Sequence, residues 1–174
     1  MTAVTASLHE RLHFDTANGQ VLDQSRRYLL MRADVLMGLF GFLPDDAREQ
    51  ALRALGQSVA RYGADSVRAY AAQPGVDEAA LLATMQQAAA SLGWGRWQLE
   101  RGAHVLRLTV HNSPFAAGTQ RRGACTCHAI AGMLEGLAAS LWPGGAQASE
   151  LACAAQADPS AGDAAVCRFE ARPS

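Results

Sequence analysis

The stretch CTCHAIAGMLEGLAASLWPGG, Cys125 to Gly145, is followed by Glu150, Cys153 and Cys167, and all four cysteines of the chain fall in this region. Within it Ile130, Met133, Leu134, Leu137 and Leu141 recur at three- and four-residue steps, which predicts a helix from about Cys125 to Leu141 with those side chains buried. Gly132 and Gly136 lie one turn apart and leave a smooth face on which another element can pack closely. Trp142-Pro143-Gly144-Gly145 ends the helix. Gln147 to Gln156 and Ala164 to Ala171, joined by Asp158-Pro159-Ser160-Ala161-Gly162, read as a closing hairpin.

Zinc is bound tetrahedrally by thiolates, imidazoles and carboxylates, and three cysteines with one glutamate would complete a closed structural site. The candidate ligands are Cys127, Glu150, Cys153 and Cys167. Cys127 falls at the predicted helix N-terminus, where the unpaired N–H groups favour a thiolate. Residues three apart on a flat strand face opposite sides, so Glu150 and Cys153 can share an ion only if the strand starts between them or bulges there. Such an irregularity is predicted. The alternative is that the cysteines pack as small hydrophobes. Cys125 and His128 stand as spares, and His128 fits equally as a ligand, a pocket residue or a satisfied core histidine. No zinc-deaminase motif, nucleophile elbow, phosphate loop or dinucleotide fingerprint accompanies these residues. A closed four-ligand set would also leave no open position for catalysis.

Upstream, Gly93 to Glu100 alternates, with Gly95, Trp97 and Leu99 on one side, and His104 to Val110 alternates with Leu106, Leu108 and Val110 inward. These are two antiparallel strands. Ala116 to Gly123 reads as a loop. Glu78 to Ser91 reads as a helix capped by Asp77, with Ala79, Leu82, Met85, Ala89 and Leu92 along one side. A longer helix is expected from Ala47 to Tyr70, its stripe running through Leu52, Leu55, Val59 and Tyr62, with Gly56 and Gly63 allowing a close approach or a bend. Tyr28 to Leu43 is too densely apolar for a surface helix and calls for burial, in the core or against a second subunit. Asn18-Gly19 suits a two-residue hairpin turn between Leu12–Phe14 and Gln20–Leu22. Met1 to Glu10 is expected to be loosely ordered. The sum is an α+β fold, an antiparallel sheet of about four strands packed against helices, with a helical N-terminal half. Residues 1–25 form an N-terminal extension and residues 26–174 a single domain.

The 174 residues are 49% hydrophobic and 18% charged, with a formal net charge of -1. Nothing in this balance offers a basic surface to nucleic acid. No stretch approaches the roughly 20 apolar residues of a membrane span, and no signal-peptide run opens the chain. A cytoplasmic location is expected, where cysteines serve as thiols or metal ligands.

The order of parts resembles the vinyl-4-reductase domain family. The marks are Val110-His111-Asn112-Ser113-Pro114-Phe115, Cys127-His128 with Gly132 and Gly136, Ser149-Glu150-Leu151-Ala152-Cys153 and Val166-Cys167-Arg168-Phe169. Relatives of that family include the phenol- and xylene-sensing domains of bacterial transcription activators and, more remotely, a subunit of the TRAPP vesicle-tethering complex. The resemblance covers roughly Arg26 to Arg172. It implies an enclosed apolar pocket for a small hydrophobic or aromatic molecule, a homodimer formed through the N-terminal helices, and a structural zinc on Cys127, Glu150, Cys153 and Cys167. The loop between Cys153 and Cys167 is longer than in the family pattern. Large apolar groups with a few polar handles suit such a pocket, and the candidates here are Tyr62, Trp97, His111, Phe115 and Met133. The expected function is a zinc-stabilised sensor or carrier, a binder rather than an enzyme. An enzyme or accessory factor of tetrapyrrole 4-vinyl reduction is one alternative, and a dimeric interaction scaffold is another. No cofactor fingerprint supports a redox step.

Overall fold

A computed structural model describes residues 8–157 and 165–174, so the Asp158 to Gly162 turn of the closing hairpin lies outside the described residues. The elements run α1 (Leu8–Arg11), β1 (His13–Asp15), β2 (Gln20–Asp23), β3 (Arg26–Tyr28), α2 (Ala33–Gly41), α3 (Asp45–Ser58), α4 (Ala64–Ala71) and α5 (Glu78–Ser91). Then follow β4 (Arg96–Arg101), β5 (Leu106–His111), α6 (Pro114–Gly118), α7 (His128–Leu141), β6 (Ala146–Ala152) and β7 (Cys167–Pro173). The fold is α+β, with two antiparallel sheets packed on helices. No helix among the described residues is long and apolar enough to cross a membrane.

The main sheet has the order β4-β5-β7-β6. Its inner face is set by strand alternation: Leu106, Leu108 and Val110 from β5 and Cys167, Phe169 and Ala171 from β7 are all buried. Burying a side chain such as Phe169 contributes roughly 1.5–3 kcal/mol. The outer face is polar, and Arg107 pairs with Glu170 across β5 and β7 at 3.0 Å. Helix α7 packs against β6 and β7 through Ile130, Leu134 and Leu137, and α3 and α4 cover it from behind.

The α3–α7 crossing is close because both helices present glycine. A Cβ built on Gly56 would sit 2.7 Å from the His128 carbonyl oxygen, and one on Gly132 would run into the Gly56 backbone. The expected long helix from Ala47 to Tyr70 is present and runs without a break through α3 and α4, which are joined by a wide helical turn over Val59–Gly63 that closes i→i+5 bonds. Helix α5 has the expected limits and the Asp77 cap, whose side chain accepts from the Ala80 amide at 2.8 Å. Its buried residues are Leu81, Met85, Ala88 and Ala89, while Ala79 is exposed. Alanine on every side gives the helix little contrast between faces, so the expected stripe through Ala79 and Leu82 is rotated.

Three further differences concern local structure. Pro114–Gly118, which overlaps the start of the loop expected from Ala116, is the short helix α6, with Ser113 accepting from the Ala116 amide at 3.4 Å. The first hairpin turns through four residues rather than two. Only Gly19 of the Asn-Gly pair has positive φ, and Asp15 ties the loop by accepting from the Asn18 amide at 3.0 Å and its side chain at 2.7 Å. Those hydrogen bonds lower the Asp15 pKa. Leu8, within the segment expected to be loose, is buried in α1.

The apolar segment Tyr28 to Leu43 divides. Met37 and Phe40 are buried, whereas Leu29, Leu30, Met31, Val35 and Leu39 are exposed and Phe42 is 92% exposed.

Candidate metal centre and ligand cavity

Three pieces of chain meet at the N-terminus of α7. Cys127 occupies the N-cap position, Glu150 comes from β6, Cys153 follows β6, and Cys167 opens β7. The register explains how Glu150 and Cys153 reach one point. Glu150 pairs with Phe169 and Ala152 with Arg168, so two steps along β6 match one along β7. That bulge at Leu151 is the irregularity the spacing required.

The Cys127 Sγ lies 3.8 Å from Cys153 Sγ and 3.6 Å from Cys167 Sγ, and the latter two are 3.9 Å apart. One donor atom from each of Cys127, Glu150, Cys153 and Cys167 falls within 4.8 Å of every other. A tetrahedron of zinc–sulfur bonds of about 2.3 Å has edges of about 3.8 Å, so the spacing of the sulfurs fits a tetrahedral ion. It does not fit a disulfide, whose bond is about 2.05 Å, and all four cysteines are free. Glu150 Oε2 accepts from the Cys127 amide at 3.0 Å, while its buried Oε1 has no hydrogen-bond partner. An unpaired buried carboxylate oxygen is costly, and a cation would satisfy it.

The electrostatics put the thiolate on Cys153 rather than on Cys127, where the helix N-terminus had led it to be expected. Hydrogen bonds from Cys127 and Cys167 hold the Cys153 thiol well below its usual range. Cys127 is raised by its bonds to Cys153 and Cys167 and by burial. Cys167 is lowered by Cys127, but its bond to Cys153 and its burial outweigh this and push it up to about 12. Burial first, then the Cys153 thiolate, pushes Glu150 up to about 8. One donor of the four is thus held charged while the other three are pushed up, the pattern of groups set too close together to ionise side by side unless a divalent cation draws off their protons. Ser113 Oγ, 3.1 Å from Cys127 Sγ, and the Ala154 amide, 3.3 Å from Cys167 Sγ, supply outer hydrogen bonds of the kind that orient metal ligands.

Of the two spares, Cys125 directs its thiol to Gln156 Oε1 at 3.4 Å, and burial pushes it up to about 11. His128 is half-buried at the start of α7, and burial lowers its pKa. Neither belongs to the four-donor cluster.

A cavity of ≈ 270 Å³ is lined mainly by the helix running through α3 and α4 and by α5, with Met133 as its one residue from α7. Three of the expected pocket residues, Tyr62, Trp97 and Met133, line it. Phe115 lies outside that lining: it is buried and packs edge-on against Trp94 at 5.3 Å, which places it one layer behind the wall. His111 lies outside it too, on the polar face of β5 with Nε2 3.2 Å from Gln98 Oε1. The alternation that turns Val110 inward turns His111 outward.

Sequence reasoning missed Leu8, Tyr28, Tyr70, Met85, Ala89 and Trp94, which also line the cavity. One signal was available. Ser58, Tyr62, Ser66 and Tyr70 follow at four-residue steps and all line the cavity. On a straight α-helix each such step drifts by about 40°. The wide Val59–Gly63 turn holds back that rotation and keeps the four hydroxyls on one wall. The opposite wall is apolar, and no Asp, Glu, Lys, Arg or His lines the cavity among the described residues.

No family model matches the sequence, and no curated protein matches it. Solved structures do. The phenol-responsive sensory domain of the transcription activator PoxR, with phenol, superposes with a TM-score of 0.73 at 18% identity, over 94% of this chain and 85% of that one. A vinyl-4-reductase family protein from Methanocaldococcus jannaschii gives a TM-score of 0.53 at 13% identity, over 86% of this chain and 84% of that one. The likeness that the sequence motifs pointed to is therefore present in three dimensions, and this chain has the fold of that sensory domain and of that vinyl-4-reductase family protein.

Proposed function

We propose that this protein is a metal-clamped binding module, a sensor or carrier, for a small hydrophobic or aromatic molecule. The observation that carries the reading is the ≈ 270 Å³ cavity, lined by Trp94, Trp97, Met85 and Met133 together with the hydroxyl-bearing Ser58, Tyr62, Ser66 and Tyr70, with no charged lining group among the described residues. Concave, mostly apolar sites with a few placed polar groups are what small molecules occupy. That the PoxR sensory domain was solved with phenol supports the reading.

Zinc is the ion that suits three thiolates and one carboxylate, held by Cys127, Glu150, Cys153 and Cys167. Its chemistry here is structural. A closed set joins the start of α7 to β6 and β7 and so stiffens the helix whose Met133 lines the cavity. The exposed apolar segment from Leu29 to Phe42 supports a homodimer in which a second copy covers Val35, Leu39 and Phe42. Thiols left unbonded suit a reducing, cytoplasmic setting.

Native mass spectrometry of the purified protein tests all three parts at once. The expected result is a dimer carrying one zinc per chain and a small organic adduct that denaturation releases. A metal-free monomer with no adduct, even after incubation with simple aromatics, would overturn the reading.

A further inference from the structure

Resting on the binding reading above and deepening it, we propose that the cavity selects a neutral aromatic molecule bearing an acceptor oxygen. That oxygen is held by the Tyr70 hydroxyl, beside Tyr28, at the end of the cavity that the N-terminal meander closes. Tyr70 comes from α4 and Tyr28 from β3, and both line the cavity.

The Tyr70 hydroxyl is already engaged on one side. Arg11 Nη2, from α1, donates to its oxygen at 2.9 Å, and the same guanidinium is fixed on Asp23 of β2 through Nε at 3.3 Å and Nη2 at 3.2 Å. Asp23 is only 4% exposed, so this ion pair is a built feature rather than a surface contact. A phenol oxygen that accepts from a cation gives up its own hydrogen bond more strongly. With its oxygen taken by Arg11, the Tyr70 hydroxyl is left to serve the cavity as a donor, and the ligand group that fits a donor is an acceptor oxygen.

Charge decides the rest. Arg11 is neutralised by Asp23, and no ionised group lines the cavity. A carboxylate or ammonium entering would lose its hydration without a counter-charge. Burial and the neighbouring Tyr70 raise the Tyr28 pKa, so this phenol also stays neutral. Two of the other polar groups are poorer handles. The Trp97 indole N–H already donates to the Trp94 carbonyl at 3.2 Å, and Tyr62, 65% exposed, stands where water competes. Tyr70 is thus the contact residue and Arg11 its positioning residue.

Titration calorimetry of the full chain with three probes of one shape tests this: acetophenone, its hydrocarbon isostere α-methylstyrene, and benzoate. Acetophenone is expected to bind about tenfold tighter than α-methylstyrene, the difference one well-placed hydrogen bond makes, and benzoate is expected not to bind. Tyr70→Phe should erase the acetophenone preference while leaving α-methylstyrene affinity unchanged, and Arg11→Met should reduce it. Equal binding of the two neutral probes, or a preference that survives Tyr70→Phe, would overturn this inference and leave the binding reading standing. Preferential binding of benzoate would likewise overturn this inference alone. Failure of every probe to bind would overturn both.

Discussion

At the scale of the residue, Cys153 decides the candidate metal centre. Its sulfur lies within 3.9 Å of both other thiols and carries the charge that they stabilise. Because ligand binding to a site of this kind is also folding energy, Cys153→Ser is expected to remove the metal and lower the thermal midpoint by roughly 10 °C, at about 2–4 °C per kcal/mol for a chain of this size. Chelation of the wild type should reproduce the shift. Metal analysis beside a melting curve checks it, and unchanged zinc content in Cys153→Ser would remove these four residues from consideration as ligands. This centre was legible in the sequence. The three-residue step from Glu150 to Cys153 could be reconciled with one ion only by a bulge, and the bulge is there. Cys125 was equally visible as a thiol, but two residues before Cys127 it falls outside the cluster and faces Gln156.

Among the elements, the α3–α7 crossing carries the fold. Gly56 and Gly132 let the two backbones meet where no side chain fits. Gly132→Ala should therefore overpack the crossing and cost about 1–3 kcal/mol. Gly38→Ala, in α2 with nothing near its added methyl, should instead be neutral or slightly stabilising. Chemical denaturation of the two variants checks the contrast, and equal stabilities would mean the crossing is looser than described. Glycine spacing announced this contact, and alternation announced β4 and β5 with their inward residues. Helix α5 was less legible in its orientation than in its limits, because Asp77 marks the start but alanine marks no face. The wide turn at Val59–Gly63 was announced only by Gly56 and Gly63, read as room for a close approach or a bend, and by the four-residue steps from Ser58 to Tyr70.

For the whole molecule, the α+β layering followed from local patterns, but the cavity did not. Its walls bring Leu8 and Tyr28 from the N-terminal meander against Tyr70, Met85 and Trp97, and nothing within any one segment encodes that meeting. Phe115 entered the expected pocket as a large apolar group and His111 as a polar handle at a strand end, yet the packing places one behind the wall and the other on the polar face. The central claim is that this cavity holds a small molecule, and Ala89, buried on its wall, offers a way to close it. The most direct measurement compares, by native mass spectrometry, wild type and Ala89→Trp after equal exposure to acetophenone. Zinc content serves as the check that both are folded. The account predicts one acetophenone per chain on the wild type and none on zinc-replete Ala89→Trp, whereas equal occupancy of the two would place the binding site elsewhere and contradict it.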